Sequence, residues 1–336
     1  MGSRSKVPVA FVVFNRADTT QKVFASIRKY APKKLFVIAD GPRPSRRGEA
    51  AACARVRAVT EEIDWDCEVL RNYRDENLGC RRSVSEGLDW VFEHTESAII
   101  LEDDCLPDPT FFPFCEELLD RYRNDHRVGM IGGVNFQFGR NSIVESYYFS
   151  RHCHIWGWAT WRRAWSLFDA GMTRWAELRG TDWLRSRVGS GTAAWYWKTV
   201  FDDCASRKRG SLSSWAVPWT YSCWKEELSA ILPSLNLVSN IGFGEQSTHT
   251  VKRNRFANMT TESMCFPLRH ATTFRIFEAA DEHTERTHLY GQDALQRLIW
   301  TFRLPIPLRC MRGARQLMRR FAVFVSALVK PESRWT

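Results

Sequence analysis

Residues 6–14 read KVPVAFVVF, a nearly continuous run of apolar and β-branched side chains. Such a run is typical of a strand that is covered on both faces, as strands are inside a parallel sheet. Beyond it, Val23, Phe24 and Ile27 recur at helical spacing, and Pro32 ends that pattern. The sequence therefore predicts a buried strand followed by a helix.

The alternation of strand and helix continues through the first half of the chain. Four further stretches predict strands, and three intervening stretches predict helices. The predicted strands are Leu35–Ala39, Glu68–Tyr73, Ala98–Leu101 and Val128–Gly132, and the predicted helices are Gly48–Glu62, Arg81–Glu93 and Phe111–Tyr122. Strands joined by helical crossovers form a mostly parallel sheet, so we expect an α/β protein with a Rossmann-like sheet flanked by helices.

The composition of the 336-residue chain is that of a folded protein. Hydrophobic residues make up 44% of it and charged residues 26%, so enough apolar surface is available to offset the entropy of ordering the chain. The ten cysteines stand singly, without a CxxC pair, and we expect them to be reduced. No run approaches the roughly 20 apolar residues that span a bilayer, and residues 1–6 are unlike a signal peptide. We therefore expect a cytoplasmic protein.

Each of the first four predicted strands ends in a polar cluster. The clusters are Asn15-Arg16, Asp40-Gly41-Pro42-Arg43, Asp75 with Asn77-Leu78-Gly79, and Glu102-Asp103-Asp104. In an open parallel sheet, ligands bind beyond the carboxyl ends of the strands. The four clusters therefore predict a ligand site along one rim of the sheet.

The three consecutive acids at residues 102–104 are the strongest local signal. Carboxylates crowded at the end of an apolar strand repel one another, and a hard divalent cation such as Mg²⁺ or Mn²⁺ would relieve that repulsion. One carboxylate suffices for such a cation when water and diphosphate oxygens fill its other positions. The alternative is an acidic turn that caps the helix predicted at Phe111. The position of the triplet as the fourth polar cluster on one rim favours the cation.

Three common signatures are missing from the sequence. GxxxxGK[ST] does not occur, GxGxxG does not follow the first strand, and GxSxG is absent. These absences argue against a P-loop kinase, a dinucleotide-dependent dehydrogenase and an α/β-hydrolase.

The second half of the chain is rich in tryptophan. Eleven of the fifteen tryptophans lie between Trp156 and Trp224, and the densest stretch is HIWGWATW at residues 154–161. A single tryptophan is more often a core residue, but as a group these side chains suit the stacking of indole faces on sugar rings. Gly157 would permit close approach of the backbone to a ligand. A helix is predicted over residues 162–168.

A polar and glycine-rich segment at residues 236–244 follows the apolar residues 231–233. We predict a loop there, leading to His249. A lone histidine is more commonly a structural residue, but in this place His249 could complete the coordination begun by the acids.

The order of these motifs resembles the bacterial nucleotide-diphospho-sugar transferases of the GT-A fold and, more distantly, the animal α-mannoside β-1,2-N-acetylglucosaminyltransferases. The resemblance runs from about Val7 to Thr250. It is carried by VFNR (13–16), ADGPR (39–43), NLGC (77–80), LEDDC (101–105), HIWGWATWRRAW (154–165) and NLVSNIGFGEQSTHT (236–250). It implies a nucleotide-sugar-binding half at residues 1–133 and an acceptor-side half of the same domain at residues 134–290.

The resemblance also implies roles for individual residues. Those expected around the nucleotide sugar are Arg16, Asp40 and Arg43 at the nucleobase, Asp103 at the ribose, Gly157 and Trp158 beside the donor sugar, and Asn77, Gly79 and Arg82 on the same rim. Asp104 is expected to bind Mn²⁺ or Mg²⁺ on the diphosphate, with His249 as a further ligand.

One position departs from the pattern of the family. Both related groups carry WDxxW, whose aspartate is implied to be the general base, but this chain reads Trp215-Ala216-Val217-Pro218-Trp219. Alanine cannot accept a proton. The substitutes proposed from the sequence are Asp202, Asp203 and Glu245.

The resemblance implies a metal-dependent glycosyltransferase, inverting in stereochemistry, that uses a nucleotide-sugar donor and a glycan or lipid-linked acceptor. The first alternative is a pseudoenzyme that binds donor or glycan and has lost its base. A sugar-phosphate nucleotidyltransferase ranks last, because no glycine- and arginine-rich loop follows the first strand.

The positive charge of the chain is concentrated at its C-terminal end. The net charge is +10, and from Arg297 onward nine Lys or Arg residues accompany one acid, Glu332. A basic tail that is also apolar favours a membrane surface or an acidic partner over nucleic acid. We expect residues 291–336 to form a basic amphipathic tail whose helix lies on the inner face of an anionic membrane. The alternative is a helix packed on the main domain.

Overall fold

The structure is a computed structural model that describes residues 6–206, 213–243 and 255–289. The strands are β1 (Val9–Val13), β2 (Lys34–Ala39), β3 (Glu68–Tyr73), β4 (Ser97–Glu102), β5 (Cys105–Pro107), β6 (Val128–Gly132), β7 (Tyr147–Ser150), β8 (Trp158–Trp161), β9 (Ser229–Pro233) and β10 (Val238–Asn240). The α-helices are α1 (Ala17–Tyr30), α2 (Glu49–Val59), α3 (Gly79–His94), α4 (Phe111–Arg121), α5 (Arg162–Trp165), α6 (Trp175–Leu178), α7 (Trp183–Val188), α8 (Gly191–Ser206), α9 (Ala216–Lys225) and α10 (Glu278–Thr284). A π-helical turn, Glu285–Leu289, follows α10.

Eight of the strands form one sheet in the order β3-β2-β1-β4-β8-β6-β9-β7. The pairings among β3, β2, β1 and β4 are parallel, as is the pairing of β6 with β9. β8 runs antiparallel between β4 and β6, and β7 runs antiparallel at the edge beside β9. The predicted fold class, an α/β protein with a large and mostly parallel sheet flanked by helices, is confirmed. Strands from residues 1–133 and from residues 134–290 share this sheet.

The apolar character of β1 comes from its place between two layers of helices. Val9, Phe11 and Val13 belong to a core shared with α1, α2 and α4, whereas Ala10 and Val12 belong to a core shared with α3, α5 and α9. Both faces of the strand are therefore buried. Full burial of each large apolar side chain stabilises the fold by about 1.5–3 kcal/mol, so neither face tolerates a polar residue.

The tryptophans of the second half are mainly core residues. Eight of the eleven between Trp156 and Trp224 are buried, namely Trp158, Trp161, Trp165, Trp175, Trp197, Trp215, Trp219 and Trp224. Several pack in a third core formed by α6, α7, α8 and α9. The expectation that these indoles stack on sugars was wrong for those eight, because their faces contact other side chains. Trp156, Trp183 and Trp195 are partly exposed.

Two predictions of local structure need correction. The helix predicted over residues 162–168 ends at Trp165. The segment 236–244 is not all loop, because β10 lies within it and pairs antiparallel with β5, with Ser239 opposite Leu106. This short pairing forms between residues far apart in the chain, so no local periodicity reveals it.

Nine cysteines in the described part of the chain are free, as predicted, and Cys310 lies outside it. In the same described residues, no helix combines the length and the apolarity that crossing a membrane requires. The basic tail, residues 291–336, lies outside the described residues, so its predicted amphipathic helix stays a prediction.

Candidate functional site

The crevice at the carboxyl ends of β1 and β4 is the topological switch point of the sheet. β1 lies between β2 and β4, and α1 carries the chain from β1 toward β2, away from β4. In open α/β sheets the ligand crevice opens where successive connections leave in opposite directions. Arg16 follows β1 and Asp103 follows β4, so both stand at this crevice.

Arg16 joins the two aspartates that follow β4. Its guanidinium forms a short ion pair with Asp103, and its Nη2 lies 3.0 Å from Oδ2 of Asp104. Oδ2 of Asp103 also accepts a hydrogen bond from the backbone N–H of Phe14 at 3.3 Å. Burial opposes the charge of Arg16, but the two carboxylates outweigh it and raise the pKa of the guanidinium. Arg16 therefore stays charged and holds β1 against the end of β4.

The backbone after β10 closes over this charged pair. The N–H of Ile241 donates to the carbonyl of Asp104 at 2.8 Å. A Cβ atom on Gly242 would stand 2.2 Å from Oδ2 of Asp104 and 2.5 Å from Nη1 of Arg16. Only glycine allows the chain to approach this closely. The segment that the sequence predicted to lie near the acids does so through β10.

Asp40 organises the neighbouring turn. Its Oδ1 accepts hydrogen bonds from the backbone N–H groups of Gly41 at 3.0 Å and Leu78 at 2.9 Å. Its Oδ2 accepts from the backbone N–H of Gly79 and from Nδ2 of Asn77, both at 3.0 Å. A carboxylate has about four acceptor positions, so this one is filled by the protein. Asp40 thus holds the start of α3 in place at the rim, and its predicted contact with a nucleobase would have to compete with these bonds.

Glu49, which the sequence analysis missed, fixes Arg43. Its carboxylate accepts hydrogen bonds from the backbone N–H and Nε of Arg43, both at 2.8 Å, and from Nδ2 of Asn15 at 2.9 Å. Hydrogen bonds from the Arg43 side chain are the main reason that the pKa of Glu49 is lowered to about 2. The spacing of Arg43 and Glu49 around the start of α2 was a local signal for this pair. Glu49 therefore joins two of the four polar clusters.

Glu102 is a second residue for which the sequence predicted no individual role, although it belongs to the acidic triplet. Its carboxylate interacts with the side chain of Trp215, the residue before Ala216, and this interaction lowers its pKa. Burial, followed by the charges of Asp104 and Asp103, raises the pKa of Glu102. No sequence signal could connect Glu102 with Trp215, because only folding brings β4 and α9 together.

Gly157 and Trp158 lie behind the crevice. Gly157 has a φ of +63°, and a Cβ there would stand 2.7 Å from a side-chain carbon of Val238. This glycine therefore permits a close approach of β10, and its predicted place beside the donor sugar stays a prediction. The indole of Trp158 is fully buried, with its ring centroid 5.4 Å from that of Trp215. Trp158 consequently supports Trp215 from within the core, and its predicted place beside the donor sugar stays a prediction.

The remaining predicted residues are spread more widely. Arg82 has 65% of its side chain exposed and pairs with Glu86. Asp202, on α8, accepts hydrogen bonds from Nη2 of Arg179 at 2.9 Å and Nε1 of Trp175 at 3.0 Å. Asp203 follows it on the same helix and is partly exposed. Glu245 and His249 lie outside the described residues.

The end of α8 lies beside the start of α3. Nη1 of Arg81 donates to the carbonyl of Cys204 at 3.4 Å. This contact brings the helix that carries Asp203 toward the rim that Gly79 occupies. Asp203 therefore remains a prediction for the base, whereas Asp202 is held in an ion pair.

The acids fit a divalent cation only in part. In the described ranges, no three His, Cys, Asp or Glu side chains are arranged to hold a metal ion. Asp104 offers a hard oxygen donor with 16% of its side chain exposed, and Arg16 already contacts it. The donors suit a cation that takes one protein carboxylate and completes its shell with ligand and water oxygens. They do not suit a cage made entirely of protein.

No family model matches the chain, and no curated protein is detectably similar to it in sequence. Among solved structures, the inositol-1-phosphate CTP transferase from T. maritima is 9% identical, with 68% of this chain and 86% of that chain covered and a TM-score of 0.35. An apo UDP-glucose pyrophosphorylase is 8% identical, with 69% and 93% covered and a TM-score of 0.36. Similarity at this level carries no argument about function.

Proposed function

We propose that the protein is a glycosyltransferase that uses a nucleotide-sugar donor. The observation that carries the proposal is the cluster of Arg16, Asp103 and Asp104 at the switch point between β1 and β4. That crevice is where α/β sheets bind nucleotides, and the cluster combines a fixed positive charge with a carboxylate that can take a cation.

The donor's diphosphate would lie in the crevice beside Arg16 and Asp104. A divalent cation held by Asp104 would supply positive charge to the departing diphosphate. Arg16, kept charged by its two carboxylates, adds a second positive group that already stands at the crevice and needs no rearrangement. Asp40 holds the Asn77–Gly79 turn rigid beside it.

The acceptor's proton needs a base, and Ala216 cannot serve. Glu102 interacts with the side chain of Trp215, the residue before Ala216. We propose that Glu102 takes this proton in its ionised form, so transfer should rise with pH, because burial and the neighbouring aspartates raise the pKa of Glu102. The acceptor oxygen forms a bond to the anomeric carbon, the bond from that carbon to the diphosphate breaks, and the proton moves to Glu102. Attack from the face opposite the leaving group inverts the anomeric centre.

The acceptor that we propose is a glycan or a lipid-linked sugar, and the basic tail would hold the protein near an anionic membrane surface. The proposed membrane attachment concerns residues outside the described ranges and rests on the charge pattern of the tail alone. Full-length protein should sediment with anionic vesicles at low salt, and a chain ending at Pro305 should not.

The test of the function has two stages. Thermal shifts with a panel of nucleotide sugars, with and without Mn²⁺, should identify the donor, because binding to the native state raises its melting temperature. Transfer from that donor to a panel of glycan and lipid-linked acceptors is then measured by mass spectrometry. Asp104→Asn should abolish the Mn²⁺ dependence of donor binding. Binding without transfer to any acceptor would favour a pseudoenzyme, and no binding of any nucleotide sugar would overturn the proposal.

A further inference from the structure

A second cavity, separate from the crevice, lies between α1 and the strands β5 and β10. Its volume is about 670 Å³. The residues that line it include none of those placed at the candidate site. Its charged lining consists of three lysines, Lys6, Lys22 and Lys29, and one acid, Asp108.

Within the described residues, the two lysines of α1 that line the cavity have no carboxylate partner. The neighbouring cations Arg28, Lys33 and Lys34 each form an ion pair, but none of the described acids pairs with Lys22 or Lys29. These two lysines stand seven positions apart, two turns along one face of α1, with Ser26 between them. The helix therefore presents two free positive charges and a hydroxyl to the cavity.

Asp108 offsets only part of this charge, because it is one acid against three lysines. Its Oδ1 accepts a hydrogen bond from the backbone N–H of Thr110 at 2.9 Å, and its Oδ2 accepts from the hydroxyl of Ser263 at 3.1 Å. Both carboxylate oxygens are thus engaged with the start of α4 and the segment beyond β10. The cavity keeps an excess of positive charge.

Lys6 completes the positive lining. Its ammonium donates a hydrogen bond to the carbonyl of Tyr30 and lies 5.1 Å from the centroid of that ring. The ring of Tyr30 stacks on Phe112 with a centroid separation of 4.2 Å and an interplanar angle of 6°. The wall beside the lysines is therefore aromatic and firmly packed.

Hydroxyl groups and apolar side chains complete the cavity. The hydroxyls belong to Ser26, Ser239 and Thr261, and the apolar wall includes Leu106, Pro107 and Pro109. A phosphate dianion can accept from several ammonium and hydroxyl donors at once, whereas a carboxylate has fewer oxygens to offer. An organic group attached to the phosphate would lie along the proline wall.

We propose that this cavity binds a phosphomonoester, with the phosphate on the lysines and its organic group against Pro107 and Pro109. The proposal does not depend on the glycosyltransferase function. The same chemistry occurs in soluble organic phosphates and in the headgroup of phosphatidic acid. The test must therefore include both sources.

Calorimetry of phenyl phosphate with the full chain is the first measurement. The double substitution Lys22→Gln and Lys29→Gln should weaken binding by roughly tenfold or more, and added salt should weaken it in the wild type. The matched control is Lys33→Gln, which removes an exposed lysine that pairs with Asp66 outside the cavity. Asp104→Asn is a second control, because retained binding separates this cavity from the crevice.

Acetylation of lysines, read by mass spectrometry, locates the ligand. Phenyl phosphate should protect Lys22 and Lys29 and leave Lys33 unprotected. Sedimentation with phosphatidylcholine vesicles that contain phosphatidic acid covers the second source. Lysine-dependent binding of either probe supports the proposal and names the source. Binding of neither probe, or equal binding by the double variant and the wild type, would overturn it.

Discussion

The side chain of Trp215 interacts with the carboxylate of Glu102, which links the end of β4 to the start of α9. Trp215 is itself fixed by stacking on the buried Trp158. The contact brings an acid to Trp215, the residue before Ala216.

Replacing Glu102 tests its proposed role as base. Glu102→Gln keeps a side chain that can accept the bond from Trp215 but removes the proton acceptor. We expect kcat to fall by about 10²-fold or more while the affinity for the donor changes little. Calorimetry and initial rates with the identified donor separate the two quantities. Lost donor affinity with an unchanged kcat would assign Glu102 to donor binding instead.

Ala216→Asp provides a rescue experiment. Introduced into the Glu102→Gln variant, it places a carboxylate at position 216, where the WDxxW motif of the resembled family has its aspartate. Transfer should rise again, since a base is restored within the same pocket. Rates of the single and double variants give the answer. If the double variant stays as slow as Glu102→Gln, the base lies elsewhere, and Asp203→Asn and Glu245→Gln are the next variants to measure.

Gly242→Ala should displace the backbone that covers Arg16 and Asp104. Its Cβ would overlap Oδ2 of Asp104 and Nη1 of Arg16, so the chain after β10 must shift. We expect a loss of about 1–3 kcal/mol in the free energy of unfolding, together with weaker donor binding. Gly180→Ala is the matched control, because a Cβ there meets nothing within 4 Å. Equal stability and donor affinity in the two variants would contradict the described geometry.

Glu49 gives the protein a specific sensitivity to acid. Its pKa is lowered from 4.5 to about 2, so its carboxylate stabilises the folded state above pH 4.5, and this contribution is lost as the pH falls toward 2. Glu49→Gln should cost about 2 kcal/mol at neutral pH and less at low pH, a value that allows for the half-exposed Arg43. Urea unfolding at several pH values measures this. A constant difference between the two proteins across that range would refute the assignment.

Asp202 is expected to be a structural residue. It accepts hydrogen bonds from Arg179 and Trp175 and so ties α8 to α6. Asp202→Asn should lower the free energy of unfolding by about 1–2 kcal/mol and leave kcat nearly unchanged. Denaturation and initial rates on the same preparation distinguish the two effects. A large fall in kcat at unchanged stability would instead indicate that Asp202 is the general base.

The sequence alone determined the elements that depend on local pattern. β3 and β6 have the predicted bounds, and the other predicted strands differ by only a few residues at their ends. Burial on both faces leaves an apolar run in β1, β2, β4 and β6, whereas no residue of the edge strand β3 is fully buried. The polar clusters that follow the strands were also visible in the sequence. Because a parallel sheet places the carboxyl ends of its strands on one rim, these clusters could be predicted to lie on the same rim.

Only the tertiary structure decided how these parts meet. The pairing of β10 with β5, which brings Gly242 over Asp104, forms between segments far apart in the chain. The use of most tryptophans as core residues, and the contact of Glu102 with Trp215, have the same origin. Such contacts depend on packing across the sheet, and packing leaves no periodicity in the local sequence from which it could be predicted.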